Sequence, residues 1–329
     1  MFEIVGPVGN RIQIPETVEH DAPSFQVGER EEVRDFYNEQ GYVVIRDAID
    51  PILCDELRAA FDGSVKKYPG FLYRQETANP EKNVFDSHGF VMNPLLNLQD
   101  LPSSVFTPLK RLSLRCFTQD PVRSIVRILL DEDGTLVQSM YFEGNPETWA
   151  HQDTYYLDSE QLGAMVSGWF ALEDIKPGAG RFYVLRGSHK INVKKNGGEF
   201  NSAFKHSRYK DLIKKIISDN ALELRAPCLR KGDVLFWNSK TIHGSLKTVQ
   251  PEYSRSSLTA QYIPASHKLL QFQSRIKALK LKEYNGISVH CPKDLDRPIN
   301  RLILGIETRF PKTFHMSKKM AILVVTQCV

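Results

Sequence analysis

The stretch "TWAHQDTYY" sets His151 and Asp153 two positions apart, between a tryptophan and a pair of tyrosines. On a β-strand, residues i and i+2 face the same way, about 6.5 Å apart at the backbone. An imidazole and a carboxylate so placed can both reach one small ion through bonds of about 2.1 Å. A half-buried His paired with an Asp is also common in ordinary packing, so a third ligand has to decide. Of nine histidines, His243 has the best setting. In "KGDVLFWNSKTIHGSLKT" a turn launches an apolar strand and a second short strand delivers the imidazole. Gly244 and Ser245 then leave room beside it. Arg255 opens the strand "RSSLTAQY", where an inward guanidinium is costly unless it meets an anion. Two His and one carboxylate on one face of a metal, with positions left open, form the facial triad of non-haem Fe(II) oxygenases. The arginine suits a co-substrate carboxylate, which it can grip with two hydrogen bonds.

These groups need a scaffold, and the chain changes grammar to build one. "EREEVRDFYNEQG" reads as a helix that stops at Gly41, and "VVIRDAI" as a short strand after it. "DPILCDELRAAFDG" has Asp50 as cap, Pro51 at the first helical position and an apolar stripe of Leu53, Leu57 and Phe61. "SSVFTPLKRLSLRCF" and "DPVRSIVRILLDEDG", the latter again capped by Asp-Pro, complete a helical part over about 30–130. From 135 to 265 the runs are short and β-prone: "TLVQSMYFEG", "AMVSGWFALEDI", "RFYVLRGS", "DVLFWNS" and "SSLTAQYIP", separated by turn signals. That order predicts one α+β domain over 1–329, an antiparallel barrel or sandwich braced by helices. A basic insert at 190–230 interrupts it, with a helix expected at 207–218. Its length suggests a mobile lid that orders over the site with substrate. The 265–329 extension yields little beyond a strand at "MAILVV".

Composition narrows the function classes. Charged residues make up 25% and apolar ones 41%, with a net charge of +4, too small and too dispersed for a nucleic-acid footprint. No apolar run approaches the ~20 residues of a membrane span, and the N-terminus lacks the pattern of a secretory signal. Five scattered cysteines without a CxxC pair fit free thiols in a reducing cytoplasm. The expected partner is therefore a small-molecule substrate, not nucleic acid or membrane, and oligomeric state is left open.

Taken together, "FYNEQGYVVIRDAIDPILCDELRAAF", "HQD", "SGWFALEDIKPGAGRFYVLRGSHK", "KGDVLFWNSKTIHGS" and "SRSSLTAQY" resemble the phytanoyl-CoA dioxygenase-like family of Fe(II)/2-oxoglutarate oxygenases. The resemblance implies a double-stranded β-helix (jelly-roll) core with helices packed on one sheet. It implies Fe(II) on His151, Asp153 and His243, with 2-oxoglutarate held by Arg255 and O2 as the oxidant. Gln152 and Trp169 match positions that line the pocket. Ser245 and Ser257 become candidates for carboxylate contacts, and Gln138 for an inward position on the preceding strand. Phe142, Trp149, Tyr155, Tyr156, Trp169 and Phe170 are candidate dry walls. The chain writes "RGSH" where the family usually has Pro-Gly-Ser-His, and "GAGRF" where Asn-Gly is frequent, so substrate class does not carry over; His189 reads as a structural turn residue. A halogenating relative would lack the carboxylate, so Asp153 favours C–H hydroxylation with release of succinate and CO2. An epimerase, a desaturase or an acyl-CoA hydroxylase on the same iron, and a non-catalytic metal-binding jelly-roll, are the competing readings. The substrate expectation is a small polar natural product, of the kind finished in cyanobacterial alkaloids such as cylindrospermopsin.

Overall fold

In a computed structural model, which describes residues 1–21, 23–193, 206–314 and 316, the helices fall where the sequence periodicity puts them. α1 (Arg30–Gln40) ends on Gly41, whose φ of 79° lies in the left-handed region. α2 (Pro51–Ser64) starts at Asp50, whose carboxylate accepts the Ile52 N–H at 2.9 Å, and buries Leu53, Leu57 and Phe61. α3 (Ser103–Thr118) is kinked at Phe106, just ahead of Pro108, and α4 (Asp120–Leu130) follows. The expected Asp cap of α4 is displaced by one residue: Gln119 stands at the cap and Asp120 is the first helical residue.

The large sheet has eight strands. Seven run in the order Leu281–Tyr284, Ile287–His290, Gly134–Phe142, Ser257–Pro264, Val166–Ala171, Val234–Asn238, Tyr42–Ile45. The eighth, Leu95–Leu96, pairs with Gly134–Phe142. Register then decides which side chains share a face. Ser257 stands opposite Phe142 and Ala171, Thr259 opposite Met140 and Trp169, and Gln261 opposite Gln138 and Ser167. Leu235 and Trp237 extend the last two rows. Side chains alternate along each strand, so the two faces separate cleanly. Tyr141, Leu258, Phe170 and Phe236 pack on Phe61, Leu109, Phe117 and Ile125 of the helices. Trp169, Ala171, Leu235 and Trp237 meet Phe182 and Val184 instead. Those two belong to a smaller sheet, Leu224–Arg225, Phe182–Leu185 and His243–Ser245. The result is the expected α+β jelly-roll, with helices on the back of one sheet and an interior between the two.

The insert contains α5 (His206–Asp219), close to the predicted span. Tyr209, Ile213, Ile216 and Ile217 are buried against Tyr155, Tyr183 and Leu185, which makes α5 a packed wall of the domain. Residues 194–205, on which the lid expectation chiefly rests, lie outside the described residues, as does "MAILVV". The extension adds the strands Leu269–Gln271, Arg275–Lys277, Leu281–Tyr284 and Ile287–His290 and then α6 (Pro298–Arg309). Cys54, Cys116, Cys228 and Cys291 are free and buried. Among the described residues no helix is long and apolar enough to cross a membrane.

Gly41 ties this scaffold to the site. Its carbonyl accepts the Asn238 N–H at 3.0 Å and the Thr241 hydroxyl at 2.7 Å, pinning the segment that leads to His243. A Cβ there would collide with His189 Nδ1 and stand 2.6 Å from Thr241 Oγ1. Gly41→Ala is therefore expected to cost at least about 2 kcal/mol, from the left-handed backbone plus the clash. Thermal unfolding checks this, and an unchanged Tm would contradict it.

Candidate metal centre

His151 and His243 face each other across a single β-bridge, His151 N–H to His243 O at 3.0 Å and His243 N–H to His151 O at 2.9 Å. Their ring centroids stand 4.3 Å apart. Each Nδ1 lies against the carbonyl two residues back, Trp149 O at 2.8 Å and Thr241 O at 2.9 Å. A ring nitrogen facing a carbonyl must carry the proton, so both Nε2 atoms keep their lone pairs. Both Nε2 atoms lie near Asp153 Oδ1, at 3.7 Å for His151 and 3.5 Å for His243. Ligands about 2.1 Å from an ion and at right angles stand about 3.0 Å apart, so a small contraction closes the set on one ion. Among the described residues this is the grouping of His, Cys, Asp or Glu whose donor atoms all lie within 4.8 Å of one another. Burial, and then the neighbouring His243, holds the His151 imidazole below its usual range, so it is neutral at pH 7 and able to ligate. Local structure departs from the sequence reading in one respect. Asp153 does not share a strand with His151; it begins the 3-10 turn Asp153–Tyr155, and that turn swings its carboxylate to the imidazoles.

Arg255 is 2% exposed, and its Nε and Nη1 have no hydrogen-bond partner among the described residues. Its guanidinium lies 5.6 Å from the centre of the Phe142 ring, and burial pushes its pKa down to about 9. A buried cation with unspent donors is a cost to the fold that a bound anion would remove. Ser257, two residues on and at the start of the strand Ser257–Pro264, has a buried hydroxyl that also lacks a partner among the described residues. A guanidinium and a hydroxyl are both donors suited to a carboxylate. Ser245 has a structural duty: its hydroxyl accepts the Thr148 N–H at 2.7 Å and its N–H donates to Thr148 O at 2.9 Å, fixing the approach to His151.

The remaining candidates divide. Trp169 lies on the interior face, stacked on Phe182 at 6.0 Å, and Phe182 in turn lies 5.5 Å from the His243 ring. Gln138 is half-buried on that face, opposite Gln261. Gln152 turns away from the metal. Its side-chain amide donates to Lys240 O, its backbone N–H to the Tyr209 hydroxyl at 2.9 Å. It lines, with Thr154 and Lys240, a separate cavity of about 320 Å³ that none of the three ligands touches. Of the aromatic walls, Trp149 and Tyr156 lie 5.4 Å and 5.9 Å from the His151 ring. Phe170 faces the helices beside Phe117, and Tyr155 packs on Tyr209, so neither lines the metal. His189 holds Asn38 O at 3.0 Å as a turn residue.

Comparison with known proteins agrees with this geometry. A profile described as phytanoyl-CoA dioxygenase (PhyH) matches residues 37–255, a span that contains all three ligands and ends on the buried arginine. The chain belongs to the PhyH family. A Bos taurus protein named phytanoyl-CoA dioxygenase domain-containing protein 1 is 28% identical over 200 residues, 56% of this chain and 64% of the relative. The peroxisomal phytanoyl-CoA dioxygenase of Mus musculus is 23% identical over 219 residues, 65% and 62% of the two chains. The alignment thus spans just under two thirds of these PhyH relatives. Among solved structures, the non-heme alpha ketoglutarate dependent carbocyclase SnoK from nogalamycin biosynthesis has a TM-score of 0.55 at 21% identity, over 75% of this chain and 89% of that one. EctD from S. alaskensis, solved with 2-oxoglutarate and 5-hydroxyectoine, gives 0.54 at 13% identity, over 84% and 93%. At such identities these neighbours establish the fold.

Sequence reading missed two residues of this PhyH site. Ser167 Oγ and Trp237 Nε1 both donate to Asp153 Oδ2, at 2.9 Å and 3.1 Å. The available signal was strand alternation: Ser167 and Trp237 are two residues from the inward Trp169 and Leu235 on their strands.

Proposed function

We propose that this protein is a non-haem Fe(II)/2-oxoglutarate-dependent oxygenase that hydroxylates an unactivated C–H bond of a small polar metabolite, releasing succinate and CO2. The observation that carries this reading is the pairing within one jelly-roll interior of two bare imidazole nitrogens and one carboxylate oxygen with a buried arginine whose Nε and Nη1 have no partner among the described residues. Iron on His151, Asp153 and His243 would supply the O2 chemistry. The chain's own part is to hold and exclude. Arg255 and Ser257 take the far carboxylate of 2-oxoglutarate and fix its orientation. Phe142, Trp169, Phe182 and Trp237 keep water from the interior, whereas Trp149 and Tyr156 are half-buried and form the side by which substrate reaches the metal. Asp153 fills the position that a halogenating enzyme would leave to a halide, which favours oxygen transfer.

Secondary-metabolite tailoring is the setting we infer, with an alkaloid of the cylindrospermopsin type as the first substrate to test. The test supplies Fe(II), 2-oxoglutarate, O2 and candidate substrate, then follows succinate and product mass together. A product heavier by one oxygen atom, formed one for one with succinate, is the expected result. Loss of two hydrogens, or an isomer of unchanged mass, would replace hydroxylation by desaturation or epimerisation.

A further inference from the structure

The two oxygens of Asp153 live in different surroundings. Oδ1 faces both imidazoles, while Oδ2 receives Ser167 Oγ and Trp237 Nε1. All three residues are buried, with Ser167 at 0%, Trp237 at 2% and Asp153 at 7% exposure, so water cannot replace either donor. Trp237 reaches a second ligand as well. Its ring lies 5.0 Å from the His243 ring at 51°, and 4.8 Å from Phe182, which itself packs on His243. The register explains the convergence: Trp237 and Ser167 are direct cross-strand partners, so both project into the interior at the same level.

We propose that Trp237, together with Ser167, is a positioning residue of the metal centre, confining Asp153 to coordination through Oδ1 alone and seating the His243 ring. This rests on the metal reading above and adds to it. A carboxylate on a short side chain can bind an ion through one oxygen or rotate to offer both. Binding through both would consume one of the positions that the co-substrate and O2 require. For Oδ2 to turn toward the ion it would have to give up both an indole N–H and a hydroxyl in a buried interior, a loss of two hydrogen bonds at once. One tryptophan thereby orders ligands from two separate segments, the turn at 153–155 and the strand His243–Ser245.

The test separates hydrogen bonding from packing. Trp237→Phe keeps an aromatic ring against His243 and Phe182 but has no N–H; Ser167→Ala removes the hydroxyl; Ser167→Thr retains it. Anaerobic competition with a chromophoric chelator gives the Fe(II) Kd, and thermal unfolding without metal reports the fold. Trp237→Phe and Ser167→Ala should each raise the Kd about tenfold or more, within the ~10–100-fold range for lost outer partners of metal ligands. Ser167→Thr should recover most of that loss, and metal-free Tm should change little in Trp237→Phe. Addition of 2-oxoglutarate should then give a weaker or displaced visible band in the double variant, because a carboxylate bound through both oxygens competes with the chelating keto acid. Unchanged Kd values in Trp237→Phe, Ser167→Ala and the double variant would overturn the proposal. So would a Kd loss mirrored by an equal fall in metal-free stability. A wild-type protein that failed to bind Fe(II) at all would instead overturn the metal reading itself.

Discussion

Asp153→Asn is expected to lose Fe(II) while keeping the fold. The amide oxygen can take over the Ser167 and Trp237 hydrogen bonds, which turns the NH2 group, a donor with no available lone pair, toward the ion. If the ~10–16 kcal/mol of a four-ligand site is shared among its ligands, each is worth roughly 3 kcal/mol, or about a hundredfold in Kd. His243→Ala should lose at least as much, since it also opens space beside Phe182 and Trp237. Asn is preferred to Ala at 153 because a truncated side chain leaves room for a halide to stand in. Equilibrium dialysis of anaerobic Fe(II) against wild type and both variants measures the effect. Binding within a factor of two of wild type in both would remove these residues from the metal site.

Arg255→Met separates co-substrate from metal. Removing one side of a buried charge pair typically costs about 2–5 kcal/mol, which weakens 2-oxoglutarate by more than about thirtyfold. Fe(II) affinity without 2-oxoglutarate should stay near wild type, because no ligand is touched. The same substitution carries an unusual stability signature. In the free protein the guanidinium is buried with two donors unspent, so an apolar side chain of similar length relieves a cost. Metal-free, co-substrate-free Arg255→Met should unfold at a temperature no lower than wild type. A fall in stability together with unchanged 2-oxoglutarate binding would show that Arg255 is a structural cation with partners elsewhere.

What the sequence could show followed from short-range physics. The helix start at Pro51 and the stop at Gly41 are local signals, strand alternation placed Gln138 on the interior face, and Trp169 came from the family resemblance. His151, Asp153 and His243 were found by type and spacing, although the reason given for the first pair was incomplete. A strand would have put both on one face; a bridge followed by a 3-10 turn achieves the same convergence by a different backbone. The misplaced residues share a cause. Gln152 sits between two ligands in sequence, and that nearness says nothing of direction; alternation sends it to Lys240 instead. Phe170 sits beside Trp169 and for the same reason faces the helices. Alternation could have turned Ser167 and Trp237 inward, but their convergence on Asp153 depends on cross-strand register between segments about 70 residues apart in the chain. α5 illustrates the remaining limit. The length of the insert suggested a cover, but Tyr209, Ile213, Ile216 and Ile217 form an apolar stripe that fixes α5 to the domain.

The central claim is that one site holds both the metal and the keto acid, and one anaerobic titration tests it most directly. Fe(II) added to wild-type protein should leave the visible spectrum featureless, as should 2-oxoglutarate alone. The two together should produce a weak visible band that saturates at one equivalent of each. That band should be absent in Asp153→Asn, and in Arg255→Met should require far more 2-oxoglutarate. A spectrum that stays featureless with both present, or a band of equal strength in Asp153→Asn, would contradict the account.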